Sequence, residues 1–160
     1  MFSASQEKVE QGFEFQASIL KNLETEFSSV VDTRKYFLQL NPSCSEVFLN
    51  LKESQNGDIM IGPLDHNTYH IECITSAEET IFPETKLRNF RGTRHYYVFL
   101  VADGETHVVH SNVWNSYITK CPEVTIKGRK YRKFKSRNVS NLRNKMSFKD
   151  FKNLIGEKHD

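Results

Sequence analysis

The sequence predicts a mixed α/β fold in one domain spanning residues 1–160, and three observations carry that prediction. Near the start, Val9, Phe13, Ala17, Leu20 and Phe27 stand three, four and seven positions apart, the period of a helix. Beyond Asn41-Pro42 the period shifts towards two, and residues 95–102 are almost wholly apolar or aromatic, as in a strand covered on both faces. Near the end, Phe148, Phe151, Leu154 and Ile155 return to helical spacing. The order is helix, strands, helix, strands, helix, with no internal repeat and no Pro/Gly-rich linker.

Element by element, residues 3–27 read as the first helix. Ser3 with Gln6 resembles a capping box, and Gly12 weakens the pattern without breaking it. Residues 27–40 suit a second helix that stops at Asn41-Pro42. Residues 47–52 fit either a strand or a short helix capped by Ser45. Ser54-Gln55-Asn56-Gly57 is a turn, residues 58–61 a short strand, residues 62–68 another turn and residues 69–75 a second strand. Residues 83–88 open a helix, with Leu87 and Phe90 available for the core. Asp103-Gly104 joins the strand at 95–102 to a partner at 106–110 as a hairpin. The last helix starts at Ser147.

Composition narrows the class of protein. Hydrophobic residues make up 38% and aromatics 12%, twelve of them Phe, which is enough for a packed core. This excludes collagen, low-complexity disorder and a disulfide-stapled scaffold. No apolar run approaches the roughly 20 residues of a membrane helix, so no membrane partner is expected. Residues 1–9 lack a basic head followed by an apolar stretch, and Cys44, Cys73 and Cys121 are odd in number and widely spaced. An intracellular location, cytoplasmic or nuclear and not secreted, is expected. The net charge of +2 conceals a division: residues 1–119 carry 9 Lys and Arg against 16 Asp and Glu, whereas residues 120–149 carry 11 against 1.

Within the acidic part, Asp58 opens one short strand and Glu72 lies in the middle of the next. Paired strands would bring the two carboxylates together. A hard divalent cation, Mg²⁺ or Mn²⁺, needs a few oxygen ligands and keeps several waters, which these carboxylates and the Cys73 backbone carbonyl suit. Such a metal can generate hydroxide and stabilise charge growing on a phosphodiester. Alternation places His70, Glu72 and Ile74 on one strand face and Tyr69, Ile71 and Cys73 on the other. His70 is thereby a candidate lining residue. Asp58 after Asn-Gly also suits a turn residue satisfying local backbone groups. His66, His70 and Cys73 lie close in sequence but lack the paired cysteines of a structural zinc site.

The run from Gly57 to Gly104 resembles the PD-(D/E)xK nuclease superfamily. Gly57-Asp58 follows a turn, Tyr69-His70-Ile71-Glu72 forms the strand, Thr75-Ser76 is polar, a helix lies near Lys86 to Phe90, and a strand follows through Tyr96-Tyr97-Val98-Phe99-Leu100-Val101. The resemblance implies a restriction-endonuclease-like mixed central β-sheet flanked by helices. It further implies Asp58 and Glu72 as metal-binding and catalytic residues, and a first-helix acid corresponding to Glu14 or Glu10. One position departs: Ile74 stands where the superfamily's E-x-K lysine orients water and neutralises charge. Lys86, on the following helix, could supply that ammonium from another direction. In this respect the arrangement resembles cap-snatching endonucleases of segmented RNA viruses. There Lys86 would polarise the attacking water or stabilise the phosphorane.

The basic part contains seven positive side chains in eleven residues, Lys127, Arg129, Lys130, Arg132, Lys133, Lys135 and Arg137, with Tyr131 and Phe134 interleaved. Lys and Arg neutralise phosphates and release counterions, while the aromatics can stack on unpaired bases or anchor the segment. Arg143, Lys145 and Lys149 extend the field. The expected function is a metal-dependent endonuclease acting on DNA or RNA, with a homodimer favoured if both strands are cut. The alternative is a catalytically degenerate protein of the same fold that binds nucleic acid, or an acidic protein partner, without cleavage.

Overall fold

The computed structural model describes residues 4–62 and 67–159. Ser3 of the expected capping box and His66 lie outside the described residues. The first helix, α1, runs Ala4–Glu26. Its packed row is Phe15, Ile19 and Leu23, whereas Val9, Phe13 and Ala17 face solvent. Of the expected apolar row, Leu20 and Phe27 pack against the core, and Val9, Phe13 and Ala17 stand outside it. Two apolar rows run along this helix, and only packing decides which one the core takes.

Strand β1, Val30–Asp32, leads into α2, Thr33–Leu40, so the helix expected over 27–40 forms only from Thr33 and a short strand precedes it. Asp32 caps α2 by accepting from the Lys35 N–H at 3.0 Å. Of the two readings of residues 47–52 the helix is found: α3 spans Glu46–Asn56, and Ser45 Oγ accepts from the Phe48 N–H at 3.1 Å. There follow β2 Ile59–Ile61, β3 Tyr69–Thr75, β4 Glu79–Pro83, α4 Glu84–Asn89, β5 His95–Leu100 and β6 Thr106–His110. The chain continues through α5 Ser111–Ile118, β7 Glu123–Ile126, β8 Arg129–Lys135, α6 Ser136–Ser140, β9 Met146–Ser147 and α7 Phe148–His159.

A six-stranded mixed sheet, ordered β1-β2-β3-β5-β6-β9, forms the centre. Only β3 and β5 are parallel neighbours. A parallel pair needs a crossover, and here the chain leaves the sheet after β3, builds β4 and α4, and returns as β5. Residues from α1 and α7, Phe15, Ile19, Phe151 and Ile155 among them, cover one face together with Tyr69, Ile71 and Tyr96. An aromatic cluster covers the other, with Trp114 4.6 Å from Phe99 and 4.9 Å from Phe134 between ring centroids. Strand β3 alternates as its period dictates: Tyr69, Ile71 and Cys73 join the first cluster and Ile74 the second.

The basic segment is the middle strand of a second, antiparallel sheet ordered β4-β8-β7. Phe134 is 2% exposed and anchors β8 in the aromatic cluster, so it is withdrawn from any base-stacking surface. All three cysteines are free. Among the described residues, no helix is long and apolar enough to cross a membrane.

Candidate active site

The site is built on the turn that ends α3. Gly57 has φ 78°, and a Cβ there would lie 2.5 Å from the Ile71 carbonyl oxygen and 2.7 Å from Phe90. Only glycine fits both the conformation and the approach. The next N–H, from Asp58, donates to that same Ile71 oxygen at 2.8 Å. Asp58 Oδ2 then accepts from the Cys73 N–H at 2.9 Å, which extends the β2–β3 ladder through a side chain. Strand geometry points the N–H and C=O of one residue to the same edge. The Cys73 carbonyl is thus directed to the Asp58 side, past the last β2 partner of β3.

Glu72, 6% exposed, stands mid-strand beside this turn, and Lys86 arrives from α4 with Nζ 2.7 Å from Glu72 Oε2. The ammonium also lies 5.7 Å from the Phe82 ring centroid. Burial, the Glu72 charge and a hydrogen bond to Glu72 push Asp58 well above the usual carboxylate range, against the Cys73 N–H and Lys86. Burial alone would depress the Lys86 ammonium, but Glu72 and Asp58 outweigh it and hold the group above its ordinary value. Burial first, then Asp58 and Glu72, raise the Cys73 thiol, so it is no activated nucleophile.

These groups floor a cleft of about 230 Å³, roofed by Val9, Gly12, Phe13 and Gln16 of α1 and bounded by Thr75. The α1 residues recur at helical spacing on one face. Glu14 and Glu10 are exposed and do not line the cleft, which corrects the expectation of a first-helix acid. The neutral Gln16 occupies that side instead. Thr75 also borders a groove of about 670 Å³ between Gln11 of α1 and Ile81 of β4. Through Val101 and Ala102 the groove adjoins a pocket of about 320 Å³ that contains Lys135 and Arg137.

His70 does not line the cleft. Its ring stacks on His95 at 4.1 Å, and the two rings meet the Asn56 and Gln55 carbonyls at the end of α3, each at 3.1 Å. Burial lowers both histidines, His95 to about 4 with His70 the next cause. Sequence reasoning passed over Tyr97, which pairs in register with Glu72 and buries a hydroxyl that has no hydrogen-bond partner among the described residues. Burial and then Glu72 raise that hydroxyl.

The basic residues divide by partner. Arg132 is a structural tie: Nε donates to Glu84 at 2.9 Å, and a terminal nitrogen donates to the Thr119 and Cys121 carbonyls. Lys133 pairs with Glu79 at 2.7 Å and Lys130 with Glu123 at 3.5 Å. Lys127, Arg129, Lys135 and Arg137 form no ion pair among the described residues, although Lys135 stands within electrostatic reach of Glu79. Among the described residues no three His, Cys, Asp or Glu side chains are grouped for a metal. The donors at hand in the cleft are two carboxylates and a backbone carbonyl. Compared with known proteins, the chain matches no family model, no curated protein and no solved structure.

Proposed function

We propose that this protein is a divalent-metal-dependent nuclease of restriction-endonuclease-like architecture. The observation that carries the reading is the convergence of Asp58, Glu72 and Lys86 from three separate elements on one cleft. Two carboxylates held close enough to share a proton repel each other, the single Lys86 ammonium balances only one of them, and their oxygens, with the Cys73 carbonyl, suit Mg²⁺ or Mn²⁺. The bound metal would supply Lewis acidity and a nucleophile at neutral pH. Asp58 and Glu72 hold the cation, and the Cys73 N–H fixes the Asp58 carboxylate in place. Lys86 stands where its ammonium can oppose the charge that grows on a phosphate. It thereby takes the part of the absent strand lysine, and Ile74 is left to the aromatic core. Lys135 and Arg137, in a pocket they share with Glu78 and Asp103, offer the phosphate backbone two cations that form no ion pair among the described residues.

Single- and double-stranded DNA and RNA, incubated with Mg²⁺, Mn²⁺ or EDTA, test this directly. Cleavage that needs metal and is lost in Glu72→Gln and Lys86→Met is the expected result. Binding without cleavage under every metal favours the second reading, a nucleic-acid-binding protein with a neutralised cleft. The Glu72–Lys86 ion pair and the lack of a third acid at the site among the described residues are the observations on that side.

A further inference from the structure

Val9 and Phe13 are 57% and 67% exposed, and both line the cleft that holds Asp58, Glu72 and Lys86. They contribute nothing to the packed row of α1, which is Phe15, Ile19 and Leu23. Their surroundings say what would cover them. On one side stands the carboxylate–lysine site, suited to a phosphate. Beyond Thr75 the groove leads towards Lys135 and Arg137, which form no ion pair among the described residues although Glu78 and Asp103 line the same pocket. A polyanion that also carries flat apolar faces matches that succession of surfaces. Duplexes bury those faces in their own stack, whereas an unpaired base leaves one free for an aromatic ring.

We propose that Phe13, with Val9 beside it, is a stacking platform for an unpaired base next to the phosphate in the cleft. The substrate class is then single-stranded nucleic acid, its chain running from Phe13 past Thr75 into the groove. This assignment rests on the nuclease reading for the chemistry at the phosphate, but the stack itself requires no cleavage. Because Phe13 is mostly exposed, its replacement leaves the core intact, and alanine suits a helix better than phenylalanine.

The test is fluorescence anisotropy of labelled short oligonucleotides in Ca²⁺ and in EDTA: single strands, fully abasic strands of the same length, and blunt duplexes. Wild-type protein should prefer single strands to duplexes. Phe13→Ala should weaken single-strand binding about 5- to 150-fold, the loss of one base stack, while Phe13→Trp binds at least as well as wild type. Wild type should lose a similar factor on the abasic strand, and the two losses should not add. Unchanged affinity in Phe13→Ala, an equal further loss on abasic strands, or equal duplex binding would overturn the proposal. So would a dimer in sedimentation that Phe13→Ala dissolves without any effect on strand affinity. A cleavage assay in Mn²⁺ separates the two readings. No cleavage together with a Phe13-dependent single-strand affinity ends the nuclease reading and sustains the stack; cleavage with a Phe13-independent affinity does the reverse.

Discussion

At φ 78°, with a backbone carbonyl 2.5 Å from where a Cβ would go, position 57 admits no side chain without movement of β3. Gly57→Ala should lower stability by about 2–4 kcal/mol, from the left-handed conformation and the clash together; chemical denaturation checks this. Asp58→Asn separates stability from metal binding. The amide oxygen can still accept from the Cys73 N–H, and its nitrogen can donate to Glu72, so two crowded carboxylates become a hydrogen-bonded amide–carboxylate pair. Without divalent metal, Asp58→Asn should melt at the wild-type temperature or about 2–4 °C above it, for a gain of about 1 kcal/mol. The Mn²⁺-induced rise in melting temperature expected of the wild type should vanish in this variant. A persistent rise would place the cation elsewhere.

At the scale of elements, β8 and α6, which follows it directly, carry two kinds of arginine. Arg132 binds Glu84 and two carbonyls, so Arg132→Met should cost about 1.5–3 kcal/mol. Arg137 has no ion pair among the described residues and sits at the groove's end. Arg137→Ala should leave stability within about 0.5 kcal/mol, yet weaken nucleic-acid binding and reduce the salt slope by about 1; titrations at several salt concentrations read both. The same strand shows why part of the fold escaped the sequence. Its alternation is written in Lys and Arg, with Phe134 as the one fully buried side chain, so a count of apolar residues finds charge where the chain builds a strand. Likewise β4 buries Phe82 but exposes Ile81, and its apolar signal is too short to stand out. Helix α5 offered Trp114 and Ile118 four positions apart and was passed over. By contrast β3, β5 and β6 were legible because their residues are nearly all apolar or strictly alternating. Glu72 was legible as a charge out of place in such a strand and Asp58 as the acid at the turn before its neighbour, whereas Lys86, on α4, came only from the resemblance. Phe13 and Gln16 were not, because their part in the cleft depends on how α1 crosses the sheet, which no local spacing encodes.

Across the whole molecule, the histidine stack links stability to pH. His95 titrates near 4 in the fold against 6.5 when unfolded, because it is buried beside His70 and faces His110. Between these values the unfolded chain binds more protons at this position, so the His95 contribution to stability should be fully present above about 6.5 and be lost as pH drops towards about 4, with the raised Asp58 carboxyl acting in the opposite sense. Urea midpoints across this range, with His95→Phe as the variant of flattened response, check it. The charge division has only a partial counterpart in the architecture: the acidic cleft comes from residues before 90, whereas the exit pocket sets Lys135 and Arg137 beside Glu78 and Asp103. The contacts that close the molecule join positions far apart in the chain. Lys152 reaches Glu26 across 126 positions, Ser136 reaches Ser76 across 60, and Arg132 reaches Glu84 across 48. Every such closure costs chain entropy before any burial offsets it, and one pair of central strands is parallel besides. Speed is what this topology gives up. The chain should fold in milliseconds to seconds, with the roof of the cleft, the floor and the groove beyond Thr75 arriving as parts of a single late event.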